Sequence, residues 1–221
     1  MAALNPALPS EITTFCEGCA QALADSTSHK ASIDHVMSTL PGLLLHRDLL
    51  ARILEGVIHR RGYPDVRRPT VFDNEYILFA HPERLFSLRM YLWGPGEYLT
   101  AHDHNAWGVI GTATAGFHVI NYNRLDDGAP DGYAHLEAVE EQYLRAGDCV
   151  YTLPLNQGIH KTGNVTAQTM ITLSVYGKPI VRDFLQLFDV ERRVVTRLYT
   201  PRRRKEVLAA DALKSLLTGG P

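Results

Sequence analysis

Disulfide chemistry has little to work with in this chain: 221 residues carry three cysteines, Cys16, Cys19 and Cys149. So small and odd a set excludes a disulfide-built framework and fits a reducing compartment. Cys16 and Cys19 form a single C-x-x-C with no second pair to complete a four-cysteine zinc site, and TTFCEGCAQALA has a helical pattern. Both read as small apolar helix residues. Long apolar runs are also missing: no stretch approaches the ~20 residues of a membrane-spanning helix. The opening MAALNPALPSEITT has neither the basic flank nor the apolar centre of a secretory signal, so the expected location is cytoplasmic. Charge of one sign is lacking too. A formal net charge of −2 argues against nucleic acid or an anionic membrane as partner. What is present is 45% hydrophobic residues, enough for a sizeable core in one domain, and ten histidines.

The chain changes character along its length. Residues 8 to about 60 carry apolar side chains at helical spacing, with Ser10 as a candidate helix cap and Pro41-Gly42 as punctuation. From about residue 70 there follow short runs rich in Val, Ile, Thr, Tyr and Phe: EYILFA, LFSLRMYLW, WGVIGTATAG, FHVINYNRL, EEQYLRAG, DCVYTLP and TMITLSVYG. Gly, Pro, Asp and Asn clusters separate them, and RLDDGAPDGY reads as a polar hairpin loop. Such spacing, with no helix between the runs, predicts an antiparallel sandwich or barrel. PRRRKEVLAADALKSLL returns to helix, its basic run a solvated face. The expected organisation is one structural domain: a helical segment over residues 1–65 packed on a barrel over 66–200, then a C-terminal helix over 201–221.

Two strands alternate informatively. In FSLRMYLW, Phe86, Leu88, Met90 and Leu92 share one face, and Ser87, Arg89, Tyr91 and Trp93 the other. In ITLSVY, Ile171, Leu173 and Val175 oppose Thr172, Ser174 and Tyr176. The apolar faces need a core. The polar faces point either to solvent or into a barrel around a ligand.

Within YLWGPGEYLTAHDHNAWGVIG, His102 and His104 sit two residues apart, which on a strand places both imidazoles on one side. Neutral imidazoles favour Fe, Ni, Cu or Zn over Mg or Ca. GDCVYTLPLNQGIHKTGN adds His160 after a Pro/Gly turn, a third ligand from a later hairpin. The other histidines read as ordinary packed or surface residues, His118 in mid-strand among them.

These two segments resemble the paired motifs of the cupin superfamily: Gly96, His102, Asp103, His104 and Gly116, then Gly147, Pro154, Gly158, His160 and Asn164. Most cupins add a glutamate shortly after H-x-H, whereas this chain reads Asn105-Ala106-Trp107-Gly108-Val109. In that respect it resembles the thiol dioxygenase branch, the cysteine dioxygenase and 3-mercaptopropionate dioxygenase type, over roughly residues 72 to 180. The resemblance implies a mainly β, double-stranded β-helix (jelly-roll) barrel. It also implies Fe(2+) held by His102, His104 and His160, and addition of both atoms of O2 to the sulfur of a small thiol to give a sulfinate. Three neutral ligands leave the ion its full charge, which favours an anionic thiolate donor.

Tyr176 matches the family's active-site tyrosine, hydrogen bonding to bound oxygen or substrate, with Thr172 and Ser174 behind it. The family's Ser-x-His-x-Tyr is replaced here by Thr172-Leu173-Ser174-Val175-Tyr176, and a serine cannot titrate near neutrality as an imidazole does. The cysteine that crosslinks to tyrosine in animal cysteine dioxygenases falls at Val109, so no crosslink is expected. The family's carboxylate-binding arginine, counted back from Trp93, falls on Tyr76. Arg89, beside Tyr91 and Trp93 on one strand face, is a substitute guanidinium, and Arg182 a second; a surface salt bridge is the alternative for each. The partners so implied are a small thiol, cysteine, 3-mercaptopropionate or a relative, and O2, acting on a monomer or homodimer. Two rivals stand beside this reading: a three-histidine cupin oxygenating a diketone or phenol, and a metal-binding sensor. Structural zinc normally has four protein ligands, which weighs against the sensor.

Overall fold

The computed structural model describes residues 8–26 and 28–218. Three helices come first: α1 (Ser10–Ala24), α2 (His29–Leu44) and α3 (Arg47–His59). Ser10 is the first helical residue of α1 rather than its cap, and Ser28 caps α2 by accepting from the Ala31 amide at 3.3 Å. Pro41-Gly42 does not interrupt α2, because Leu40, Leu43 and Leu44 on either side are buried and hold the last turn in place. Cys16 and Cys19 bury on the apolar stripe of α1 with Ile12; burial pushes the Cys19 thiol up to about 12, so the pair packs as apolar helix residues.

Eleven strands follow: β1 (Glu75–Ala80), β2 (Phe86–Trp93), β3 (Tyr98–His102), β4 (Gly108–Thr112), β5 (Phe117–Arg124), β6 (Leu136–Leu144), β7 (Cys149–Thr152), β8 (Ile159–Asn164), β9 (Met170–Gly177), β10 (Phe184–Asp189) and β11 (Val194–Tyr199). They form two antiparallel sheets, ordered β1-β2-β9-β4-β7 and β11-β10-β3-β8-β5-β6. The pairing is nested. β2 pairs with β9, β3 with β8, β4 with β7 and β5 with β6, and successive strands from β2 onward alternate between the sheets in pairs about the β5–β6 hairpin. A long hairpin rolled up in this way is a jelly roll, so the fold is mainly β and of the cupin type. No strand is expected from residues 184–199, yet β10 and β11 extend the second sheet as a hairpin. Their faces are only half-buried, so neither shows the apolar pattern that marks an inner strand.

The apolar faces of β2 and β9 turn outward, not inward. Leu88, Met90, Leu173 and Val175 pack with Val109 of β4 against Val36, Leu40 and Leu44 of α2, forming the largest core of the molecule. The helices therefore cover the outside of the five-stranded sheet. The opposite faces line the barrel, where Tyr91, Trp93, Ile110, Phe117, Val119, Leu144 and Met170 meet between the sheets. Solvent, the other destination open to those faces, is excluded. Helix α4 (Pro201–Thr218) lies outside with no buried residue, and its basic run is exposed. Among the described residues no helix is long and apolar enough to cross a membrane.

Candidate metal centre

Strand pairing assembles the three histidines. His102, the last residue of β3, stands directly opposite His160 of β8. His104 lies just past the end of β3 rather than on it, in a segment fixed at both ends: the Asp103 amide donates to Gln186 O at 3.1 Å and the His104 carbonyl accepts from Leu155 at 2.8 Å. One nitrogen of each imidazole lies within 4.8 Å of the others, and all three rings are buried. Ring centroids are 4.6 to 5.0 Å apart.

The proton positions follow from the partners. His102 Nδ1 lies 2.8 Å from Thr100 O, and His104 Nδ1 lies 3.0 Å from Gly158 O. A carbonyl can only accept, so both Nδ1 atoms carry the proton and both Nε2 lone pairs face the centre. Thr152 Oγ1 donates to the same Gly158 carbonyl at 2.9 Å. His104 Nε2 is buried and has no hydrogen-bond partner among the described residues. Burial lowers all three imidazole pKa values: His102 falls below 6.5, His104 is pushed down to about 3 with help from His102, and His160 goes well below its ordinary value. Three buried neutral imidazoles meeting at one point, with the Nε2 of His104 orphaned there, are the donor set of a first-row transition metal. The residues fit such an ion. Among the described residues no carboxylate joins the group. Asp103, between two of the ligands in sequence, is fully buried and held by Arg182 through Nη1 at 2.7 Å and Nη2 at 2.8 Å. Three protein ligands leave coordination positions open.

A cavity of about 430 Å³ reaches His102 and His104 from outside, and a void of about 20 Å³ reaches His102 and His160 from within the barrel. Tyr176 lines both, its ring stacked 5.9 Å from that of His104. Burial raises its pKa, so the phenol is neutral and able to donate at neutral pH. Gly108 faces Tyr176 across the β4–β9 pair, and a Cβ at Gly108 would come within 2.7 Å of that ring. Val109, by contrast, faces the helices, so the position against the phenol ring is Gly108 and not Val109 as expected.

The other sequence-derived candidates divide. Arg89 and Tyr91 line the outer cavity, with the Arg89 guanidinium 5.4 Å from the centre of the Tyr176 ring. Trp93 lines the inner void and donates from Nε1 to Thr172 Oγ1 at 3.0 Å. Ser174 Oγ is buried there without a hydrogen-bond partner among the described residues. Tyr76 is on neither cavity: strand alternation turns it toward the helix-covered core. Arg182 lines the outer cavity, but Asp103 and Asn105 occupy its three nitrogens, so it serves as a brace and not as an anion clamp. His118 is packed on the outer face of its sheet, between Tyr98 and Glu141.

One residue on the site escaped the sequence. Glu75 stands opposite Tyr91 in register, and its buried carboxylate accepts from Arg89 Nη1 and from the Val71 and Phe72 amides. Its signal was a lone acid in the strand before FSLRMYLW, interpretable only once the register is known.

Searched against models of known families, the chain matches none. Among solved structures it is similar over part of its length to cupin barrels. A cupin superfamily protein from Desulfitobacterium hafniense shares 13% identity over 47% of this chain and 74% of its own, with a TM-score of 0.33. A cupin 2 conserved barrel domain protein from Rhodopseudomonas palustris shares 18% over 53% and 67%, with a TM-score of 0.37. An oxalate decarboxylase from Lactobacillus farciminis, solved as a formate complex, shares 17% over 51% and 31%, with a TM-score of 0.37. The fold assignment rests on the nested strand pairing, and that fold carries a buried three-histidine group able to bind a metal.

Proposed function

We propose that the chain is an iron-dependent dioxygenase converting a thiol that carries an anionic group to its sulfinate. The observation that carries this reading is a cavity bordered by Arg89 that opens on three buried imidazoles with, among the described residues, no ligating carboxylate. His102, His104 and His160 would hold the metal. A ferrous ion there supplies the charge that ionises a thiol and the redox change by which both atoms of O2 join its sulfur.

The remaining work falls to the protein's own groups. Arg89, which lines the cavity, uses Nη1 on Glu75 and Nε on Ser87 Oγ at 3.1 Å, which leaves Nη2 to donate to a substrate carboxylate or similar anion. Glu75 fixes where that guanidinium points. Tyr176, neutral and stacked against His104, donates a hydrogen bond from its phenol toward the reacting end of the substrate and ends in the same state: RSH and O2 give RSO2H, whose proton passes to solvent as the sulfinate forms. Ser174 cannot exchange the phenolic proton near neutrality, so turnover is expected to vary little with pH through the range where an imidazole relay would titrate. Phe72, tilted against His102 at 5.7 Å between ring centres, helps exclude water from the ligand side.

Oxygen uptake by the iron-loaded protein against thiols, diketones and phenols, with mass spectrometry of products, tests the reading. Uptake with a thiol and a sulfinate product supports it. Uptake with diketones or phenols alone establishes the rival oxygenase, and no uptake with either class favours a metal-binding sensor.

A further inference from the structure

The cavity is larger than a three-carbon thiol acid needs, and guanidiniums stand at its rim. Its volume of about 430 Å³ lies within the range of roughly 300–1,000 Å³ that holds drug-sized ligands. Four arginines line it, against one aspartate, Asp183. Two of the four are already committed: Arg89 to Glu75 and Arg182 to Asp103. Arg68 and Arg84 have no ion-pair partner among the described residues and are exposed at the cavity. Asp183 is not theirs either, since it pairs with Arg203 at 2.5 Å. Apolar side chains, Phe86, Phe184, Leu185 and Leu198, make up much of the wall.

We infer that the substrate is an elongated thiol with a second anionic group, a carboxylate or a phosphate, at the end away from the sulfur. Arg68 and Arg84 receive that group at the rim, the apolar wall covers the chain between, and Arg89 and the histidines take the sulfur end. Two flexible guanidiniums at an exposed rim give a charge-steered, salt-sensitive contact that tolerates either anion. This rests on the thiol reading for the reactive end only; the rim and its ligand class can be tested without turnover.

The test is equilibrium binding of thiol-free analogues to the full-length protein, followed through tryptophan fluorescence or calorimetry. One arm uses linear dicarboxylates of increasing length, the other ω-carboxyalkyl phosphates, and short monocarboxylates serve as the reference. Affinity should rise with length in at least one arm and fall with added salt, and the better arm identifies the anion. The Arg68→Ala/Arg84→Ala double variant should weaken the best long dianion roughly tenfold and leave the monocarboxylates unchanged. Equal binding of short and long ligands, or a double variant that binds the long ones as the parent does, would overturn the inference. Oxygen uptake with the thiol counterparts of the best ligands is scored separately. Tight, rim-dependent binding without uptake refutes thiol oxidation and leaves the rim assignment standing.

Discussion

The two faces of strands β2 and β9 do different work with the same backbone. Outward, Leu88, Met90, Leu173 and Val175 meet α2 in a dry apolar layer; inward, Arg89, Tyr91, Thr172, Ser174 and Tyr176 surround the histidines and two cavities. In most half-buried sheets the apolar face is the inside and the polar face meets water. Here the helices supply a second core outside the barrel, so that the interior can carry polar groups beside its own apolar cluster around Trp93 and Phe117. Stability and reactivity are separated by the thickness of one sheet.

That separation predicts distinct consequences for substitutions on the two faces of the sheet. Leu173→Ala removes a fully buried side chain from the outer layer and should cost about 2–5 kcal/mol in urea denaturation, while metal bound per folded chain stays unchanged. Loss of metal at full folding would show that the faces are not independent. Gly108→Ala forces a methyl against the Tyr176 ring and should cost about 1–3 kcal/mol, with turnover lost before metal binding. Retained wild-type turnover would argue that the ring position is immaterial.

The third consequence concerns pH. Because the folded-state pKa values of His102, His104 and His160 lie below 6.5, the unfolded chain takes up more protons as pH drops. Stability of the metal-free chain from this source is intact above pH 6.5 and is lost as pH falls from there toward about 3, where His104 titrates in the folded state. The slope is at most about 1.4 kcal/mol per pH unit for each imidazole. Urea midpoints between pH 7.5 and 5 should fall, and fall less steeply in His104→Ala; parallel lines would contradict burial of the neutral form. Smallest of all, Tyr176→Phe should alter stability by less than about 1 kcal/mol and lower turnover at least about tenfold.

Much of this arrangement was legible in the sequence because period-two alternation is a local property. FSLRMYLW and TMITLSVYG disclosed their faces without knowledge of their partners, and H-x-H with a distant histidine disclosed the three imidazoles that the fold brings together. What alternation cannot supply is register. Glu75 becomes meaningful only when paired opposite Tyr91, and Tyr76, one residue on, turns the other way. Gly108 rather than Val109 meets Tyr176 for the same reason. For Arg182 the sequence left anion clamp and salt bridge open, and only the fold decides between them by bringing Asp103 and Asn105 to it from 77 and more residues away.

The claim beneath all of this is that three neutral imidazoles share one metal ion. Metal content of the purified protein and of its His160→Ala variant, measured by plasma mass spectrometry with iron supplied, tests it most directly. The account predicts about one iron per chain in the parent and little in the variant, with secondary structure retained in both. Equal metal in the two proteins, or none in the parent, would contradict it.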